Sequence, residues 1–397
     1  MMTRFAAAAF ALLLLASPAQ AADAKFMAFL NGTGWQMAER AGLSQSEFKQ
    51  AIAGITEPDG RVLEMMKTQP EFTSTTAQYL GKAITDARIA NGRKNLASEA
   101  KLLAAIEARY GVNRRILLAI WGMESNFGAD IGSMKVIRSL ATLAYTGRRK
   151  DYGRAQLAAA FRILKAGAIS PARFNGSWAG AMGHTQFIPT SYLASAVDWD
   201  GDGKRDIWGN HADALASTAN YLKKAGWNDA QPWGLEVVLP SGFDRGLIGR
   251  KTWKTMAQWE KLGIKPAAGG KLPAPSAKGF VMLPQGLDGP PFVVTSNFMA
   301  IMAYNQSHSY SLAVGHLGDR IMGGAPFQGE WREPVAELGF AERVELQKRL
   351  IAKGFDTGGT DGRFGARTYE AIIAFQKARG LKVDGFPGRK LLAALRD

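Results

Sequence analysis

One glutamate sits in an apolar helical stripe. Leu117, Ile120, Trp121 and Glu124 fall at i, i+3, i+4 and i+7, so the carboxyl faces either the core or a cleft. Burying an unpaired charge is costly, so such a carboxyl finds partners or stays protonated with a raised pKa. A carboxylic acid that is protonated near neutral pH can donate to the leaving oxygen of a glycosidic bond. The same pattern fits a paired core glutamate, or a helix end stopped by Asn126 and Gly128. Ordinary glycosidases use two carboxylates. No second acid stands near Glu124 in the sequence, since Asp130 lies beyond Phe127-Gly128, although a distant one could fold into place.

Other groups suit sugar binding. The segment Ser177 to Phe187 is rich in small residues, which allow close approach to the backbone, and Gln186 could hydrogen-bond an acetamide or hydroxyl. Tyr304-Asn305 and Tyr310 put polar-tipped aromatics close together on a helical segment, as stacking on sugar faces requires. A tight turn and buried core tyrosines fit those two patterns equally well. In Asp198-Trp199-Asp200-Gly201-Asp202-Gly203-Lys204, acids occupy positions 1, 3 and 5 and glycine position 6, as in a calcium loop. The Lys204 carbonyl is available at position 7. Position 12 is Gly209, so Asp213 must close a longer loop; an acidic turn without metal remains the other reading.

Several chemistries are excluded. The chain of 397 residues has no Cys, hence no thiolate catalysis, disulfide or Cys-ligated metal. There is no Gly-x-Ser-x-Gly for a serine hydrolase, and four scattered His contain no His-Glu-x-x-His. The formal charge of +15 suits an anionic polymer such as a cell wall, and a basic surface maintained for solubility fits it equally well; Arg148-Arg149-Lys150 is the one compact basic run. Arg4, the apolar run Phe5 to Ala16 and Ala19-Gln20-Ala21 read as a cleavable leader over residues 1–21, too short for a permanent membrane span. Export argues against nucleic acid, and without a Cys a lipid anchor is excluded; the expected location is the periplasm.

Helical patterns must position these groups. Residues 97–110 and 114–127 are strongly helical, and Ser44-x-x-Glu47 reads as a capping box. Glu57-Pro58-Asp59-Gly60 reads as a turn. Runs at 235–239, 280–283 and 292–295, bounded by Gly and Pro, indicate a small sheet, and 297–321 is helical again. Met322 to Pro326 is linker-like. Beyond it, 337–397 holds a weak repeat, Asp361-Gly362-x-x-Gly365 and Asp384-Gly385-x-x-Gly388, of the size of an appended binding module.

Together these motifs resemble a known family. Gly122-Met123-Glu124-Ser125-Asn126-Phe127-Gly128, then Gly180-Ala181-Met182-Gly183 through Gln186-Phe187-Ile188-Pro189, then Asn297-Phe298 through Tyr304-Asn305 and Tyr310 are similar to the motifs of the lytic murein transglycosylase B family. Leu346-Gln347, Gly354-Phe355, Asp361-Gly362-x-Phe364-Gly365 and Ala374-Phe375-Gln376 resemble a peptidoglycan-binding domain. The resemblance implies a mainly α fold: a lysozyme-like helical catalytic domain over 22–326 with a small β subdomain, and a small three-helix module over 337–397.

By the same resemblance Glu124 is acid and then base, while Ser177, Gln186, Tyr304, Asn305, Tyr310, Arg148 and Arg149 bind substrate. It also implies calcium at Asp198, Asp200, Asp202, Lys204 and Asp213, in a structural role, with no cofactor for the chemistry. His184 stands where relatives more often carry an aromatic, and no role is assigned to it. The implied partner is the peptidoglycan glycan strand, cleaved between N-acetylmuramic acid and N-acetylglucosamine with closure of a 1,6-anhydro ring; no protein partner is named. A muramidase that hydrolyses the same bond and a non-catalytic wall scaffold are the competing readings.

Overall fold

A computed structural model describes residues 18–68, 74–332 and 338–397. Residues 1–17 of the expected leader and the expected module start at Glu337 lie outside the described residues. A helix runs Pro18–Phe29 across the expected cleavage point. The chain divides into two compact units. One comprises residues up to Thr68, Ser133–Ala181 and Ile188–Leu193; the other comprises Gln69–Gly132, Met182–Phe187 and Ala194–Asp397. The expected catalytic region 22–326 therefore contributes to both units, and the C-terminal module belongs to the second.

The first unit is helical, with Phe26, Phe48, Val62, Leu140, Leu157 and Phe161 buried. Ser44 and Glu47 form the anticipated capping box at the start of Gln45–Ala51. Asp59 lies at a helix start and not in a simple turn: its carboxylate accepts the Arg61 N–H and opens Gly60–Thr68. Helices Val136–Tyr145 and Lys150–Lys165 pack so closely that a Cβ at Gly153 would lie 2.4 Å from the Ala144 nitrogen. A two-stranded ladder pairs Met134–Lys135 with Asn175–Gly176.

The second unit is built on the helix Arg114–Ser125, capped by the Asn113 side chain. Ile116 to Trp121 are all buried, so the apolar stripe read from the sequence is part of a helix enclosed nearly all round. The helix His308–Ile321 lies antiparallel against it. A Cβ at Gly318 would come 3.0 Å from the Arg115 carbonyl, and Tyr310 meets Glu124 two turns away. Arg115 pairs with Asp319 at 3.0 Å, and Trp233 Nε1 donates to the same carboxylate.

The small sheet is antiparallel and five-stranded, in the order Lys254–Thr255, Lys278–Met282, Phe292–Thr295, Gly234–Val238, Lys265–Pro266. Its central strands read as unbroken apolar runs because both faces are covered. Phe280, Met282, Phe292 and Val294 enter the main helical core. Val281, Val293 and Val237 enter a second core with Ile248 and Trp259.

Three helices, Phe340–Ala352, Ala366–Ala378 and Arg389–Arg396, make the C-terminal module around Leu346, Ile372, Phe375 and Leu392. The module is docked rather than freely tethered. Ile373 buries in the second sheet core, Arg250 pairs with Glu370 at 3.7 Å, and Gly286 has room for no Cβ against the Tyr369 ring. The preceding segment is pinned as well. Phe327 stacks on His316 with ring centroids 3.6 Å apart, and Glu236 accepts the N–H groups of Gln328 and Gly329 at 2.7 and 2.5 Å.

Candidate active site

Glu124 occupies the last turn of its helix, half-buried, just after the buried run ends. Tyr310 Oη donates to Glu124 Oε1 at 2.5 Å. Burial, and next the Glu124 charge, push the Tyr310 phenol well above its ordinary pKa, so it stays protonated and remains a donor. Tyr304 is raised in the same way by burial and by Glu124. Its hydroxyl donates to the Thr185 carbonyl, and its ring meets Tyr221 edge-on at 5.1 Å and Phe187 at 5.8 Å. Asn305 caps the end of the helix Ser296–Tyr304 with its backbone and is exposed.

The chain beyond Glu124 turns sharply. Asn126, Phe127 and Gly128 have φ of 49°, 60° and 86°, three left-handed residues in succession. That conformation is costly for residues with a Cβ and persists where surrounding contacts impose it. Ser125 supplies one such contact, since its Oγ accepts the Gly128 N–H at 2.8 Å and donates to the His184 carbonyl at 2.5 Å. Phe127 folds its ring back over Gly122, where a Cβ would lie 2.7 Å from the ring. At Gly128 a Cβ would lie 2.4 Å from the His184 ring.

Gln186 belongs to the same unit, on a short hairpin closed by reciprocal bonds between Met182 and Phe187. Its backbone is left-handed, with φ 51°. Its side-chain nitrogen donates to the Ile131 and Gly183 carbonyls at 3.1 and 2.9 Å, so the amide donors hold the loop and Oε1 is the atom left for a ligand. The small residues here serve packing: a Cβ at Gly183 would strike the Ile207 carbonyl, and one at Gly180 the Leu140 side chain.

His184, given no role from sequence, is a hub of this site. Its Nδ1 accepts from Trp121 Nε1 at 3.1 Å, and burial lowers its pKa, with His211 adding to the effect, which favours the neutral ring that bond needs. Trp121 stacks on His211 at 5.5 Å with rings nearly parallel, and His211 Nε2 lies 3.2 Å from Glu99. These partners lie tens of residues apart in sequence and share no period, so only the single buried Trp121 was open to sequence reading.

Ser177, Arg148 and Arg149 belong to the first unit. Ser177 closes a turn: its Oγ accepts the Ala181 N–H at 3.0 Å. Arg149 lies over the Tyr152 ring at 4.3 Å and the Trp178 ring at 5.5 Å, a cation–aromatic cluster of which the sequence reading named only the arginine. Arg148 is exposed, with Nη2 3.4 Å from the Met66 carbonyl.

In the acidic loop, ligand oxygens of Asp198, Asp200 and Asp202 lie within 4.8 Å of one another. Gly201 and Gly203 are left-handed, with φ of 78° and 86°, and donate their N–H groups to Asp198. Asp213 is buried and accepts from the Trp199 and Asp206 N–H groups, both at 2.8 Å; burial raises its pKa against those bonds. Lys204 is exposed and donates its N–H to Asp202. Asp206 and Asn210 brace the same loop: Asp206 accepts from Trp208 and Gly209, and Asn210 Nδ2 donates to Asp200 at 2.8 Å. Three carboxylates with hard oxygens fit a divalent cation of the calcium type.

Residues 25–319 match the family described as Transglycosylase SLT domain. The chain belongs to that family. Residues 341–395 of this transglycosylase-family chain match the family described as Putative peptidoglycan binding domain. Among solved structures, SltB3 of Pseudomonas aeruginosa in complex with NAG-anhNAM-pentapeptide is 46% identical, with a TM-score of 0.83 over 94% of this chain and 99% of that one. The calcium complex of Escherichia coli lytic transglycosylase Slt35 is 27% identical, with a TM-score of 0.63 over 75% of this chain and 92% of that one. The membrane-bound lytic murein transglycosylase B of Escherichia coli K12 is 29% identical over 297 residues, 72% of this chain and 80% of the relative. No helix among the described residues is long and apolar enough to cross a membrane.

Proposed function

We propose that the chain is a periplasmic lytic transglycosylase that cleaves the β-1,4 bond between N-acetylmuramic acid and N-acetylglucosamine in peptidoglycan and leaves 1,6-anhydro ends. The observation that carries this reading is Glu124 at the end of an enclosed helix, with one oxygen held by the Tyr310 phenol at 2.5 Å. Glu124 gives its proton to the glycosidic oxygen as the bond to muramic C1 breaks. The ionised carboxylate then takes the proton of the C6 hydroxyl as that oxygen closes on C1, and no water is consumed. An intramolecular hydroxyl has a high effective concentration, so the site mainly has to hold one conformer. The Pseudomonas complex with an anhydro-muramic ligand supports this chemistry over hydrolysis.

The test is Glu124→Gln. Turnover should fall by at least ~10²–10⁴-fold while the protein still sediments with sacculi. Mass spectrometry of the wild-type products should find muramic ends lacking one water. Release of such ends by the variant at near wild-type rate would move the acid elsewhere, and reducing ends would make the enzyme a muramidase.

For the acidic loop we infer a structural Ca²⁺ held by Asp198, Asp200 and Asp202, with the Lys204 carbonyl and Asp213 completing it. The calcium complex of the Escherichia coli relative supports this. Ca²⁺ should raise the melting temperature of wild type, and Asp200→Ala with Asp202→Ala should remove that rise. The leader reading predicts a mature chain beginning at Ala22; uncleaved full-length protein in the membrane fraction would refute it.

A further inference from the structure

A cavity of about 430 Å³ opens where the C-terminal module docks. The start of the His308–Ile321 helix gives one wall, through Gln306, Ser307 and His308, joined by Thr76 and Gln285. The module gives the other, through Arg343, Arg363, Arg367, Gln347 and Tyr369. Its volume falls within the roughly 300–1,000 Å³ usual for small-ligand sites.

Two of its lining groups are left without partners. His308 Nε2 is buried with no hydrogen-bond partner among the described residues, and so is Arg343 Nε. Both atoms are shielded from the cavity surface, so an occupant reaches these two side chains through their other atoms. Burial, with Arg250 and Arg367 adding, pushes His308 down to about 4, so it enters as a neutral imidazole. The charges are unbalanced. Three guanidiniums face Asp288 and Asp361, and Asp361 Oδ1 already accepts from Gln347 and from the Arg363 N–H. Arginine favours planar, charged acceptors such as carboxylates. Peptidoglycan carries free carboxylates along its peptide stems, and a glycan chain stripped of stems carries one lactyl carboxylate on each muramic residue, so the two are separate arms of the test.

We propose that this cavity binds a carboxylate-bearing stem peptide of peptidoglycan, and that the site is complete only with the module docked against the helix that carries Tyr310. The proposal rests on the reading that the chain acts on peptidoglycan. Ser307, which lines the cavity, caps that helix by accepting the N–H of Tyr310, three residues on, whose phenol holds Glu124. The wall is thereby recognised at two places within one compact unit.

The test uses full-length Glu124→Gln protein, so nothing is cleaved, titrated calorimetrically with the synthetic tetrapeptide L-Ala–γ-D-Glu–meso-diaminopimelate–D-Ala. Binding should be seen with this peptide and lost when its carboxylates are amidated. Arg367→Gln on the module wall, which removes a charge-assisted contact, and Gln306→Glu on the opposite wall, which sets a like charge against the carboxylate, each added separately, should weaken binding by about tenfold or more. Arg363→Gln, whose side chain is exposed, repeats the first arm should Arg367→Gln melt early. Equal binding of the amidated peptide, binding of stem-free glycan alone, or unchanged affinity in the variants overturns the proposal. Loss in the module variants alone overturns the composite site. Because binding is read without turnover, failure here leaves the product assay on Glu124 intact, and the reverse also holds.

Discussion

Tyr310 and Glu124 act as a pair, because a phenol kept protonated by burial gives the carboxyl one fixed neighbour. Tyr310→Phe keeps the ring and its packing and removes only the donor. Hydrogen bonds to charged groups contribute about 1.5–3 kcal/mol, so kcat should fall by roughly ten- to a hundredfold with little change in KM. Initial rates on soluble glycan fragments check this, and a change confined to KM would assign the phenol to substrate binding. Glu124 was legible in the sequence because a charge in an apolar stripe is a local contradiction. Tyr310 was legible as an amphipathic aromatic, but its bond to Glu124 spans 186 residues and follows only from the antiparallel packing at Gly318.

At the scale of elements, the turn after the glutamate helix depends on glycine at one position. Gly128 combines φ of 86° with a site where a Cβ would meet the His184 ring at 2.4 Å. Gly128→Ala should destabilise by about 1–3 kcal/mol from backbone strain, with the ring clash in addition. His184→Ala in the same chain should recover the clash and leave the strain, so a urea-unfolding cycle over the four proteins should show positive coupling. Additive effects would mean that the ring yields freely. Asn126 and Gly128 read correctly as a helix stop. The clamp from Ser125 to His184 was not readable, since a serine after a glutamate marks no partner 59 residues away.

For the whole molecule, docking of the module was the least legible feature. Its contacts are single residues such as Gly286 against Tyr369 and Arg250 with Glu370, with no periodic pattern to announce them. The three apolar runs did announce the sheet, because both of its faces are covered. One consequence is acid sensitivity. Burial, with Arg320 adding, pushes His316 from 6.5 down to about 4 beneath Phe327. The unfolded chain then binds the extra proton between those values, so this stability is full above pH 6.5 and is lost as pH falls towards 4. His316→Phe should retain the stacking and remove up to about 3 kcal/mol of the acid-induced loss measured by urea unfolding at pH 7 and 4.5. Equal losses in both proteins would place the sensitivity elsewhere.

The pinned segment before the module has a signature in time as well as in space. Amide hydrogens in an open loop exchange with solvent deuterium almost as fast as in a free peptide. Those of Gln328 and Gly329 point at the Glu236 carboxylate, so their exchange waits for the strap to lift. Their protection measures how often that segment lifts from Glu236. Glu236→Ala removes both acceptors, and rapid labelling at these two amides, with the sheet still protected, would show the strap opening without the fold.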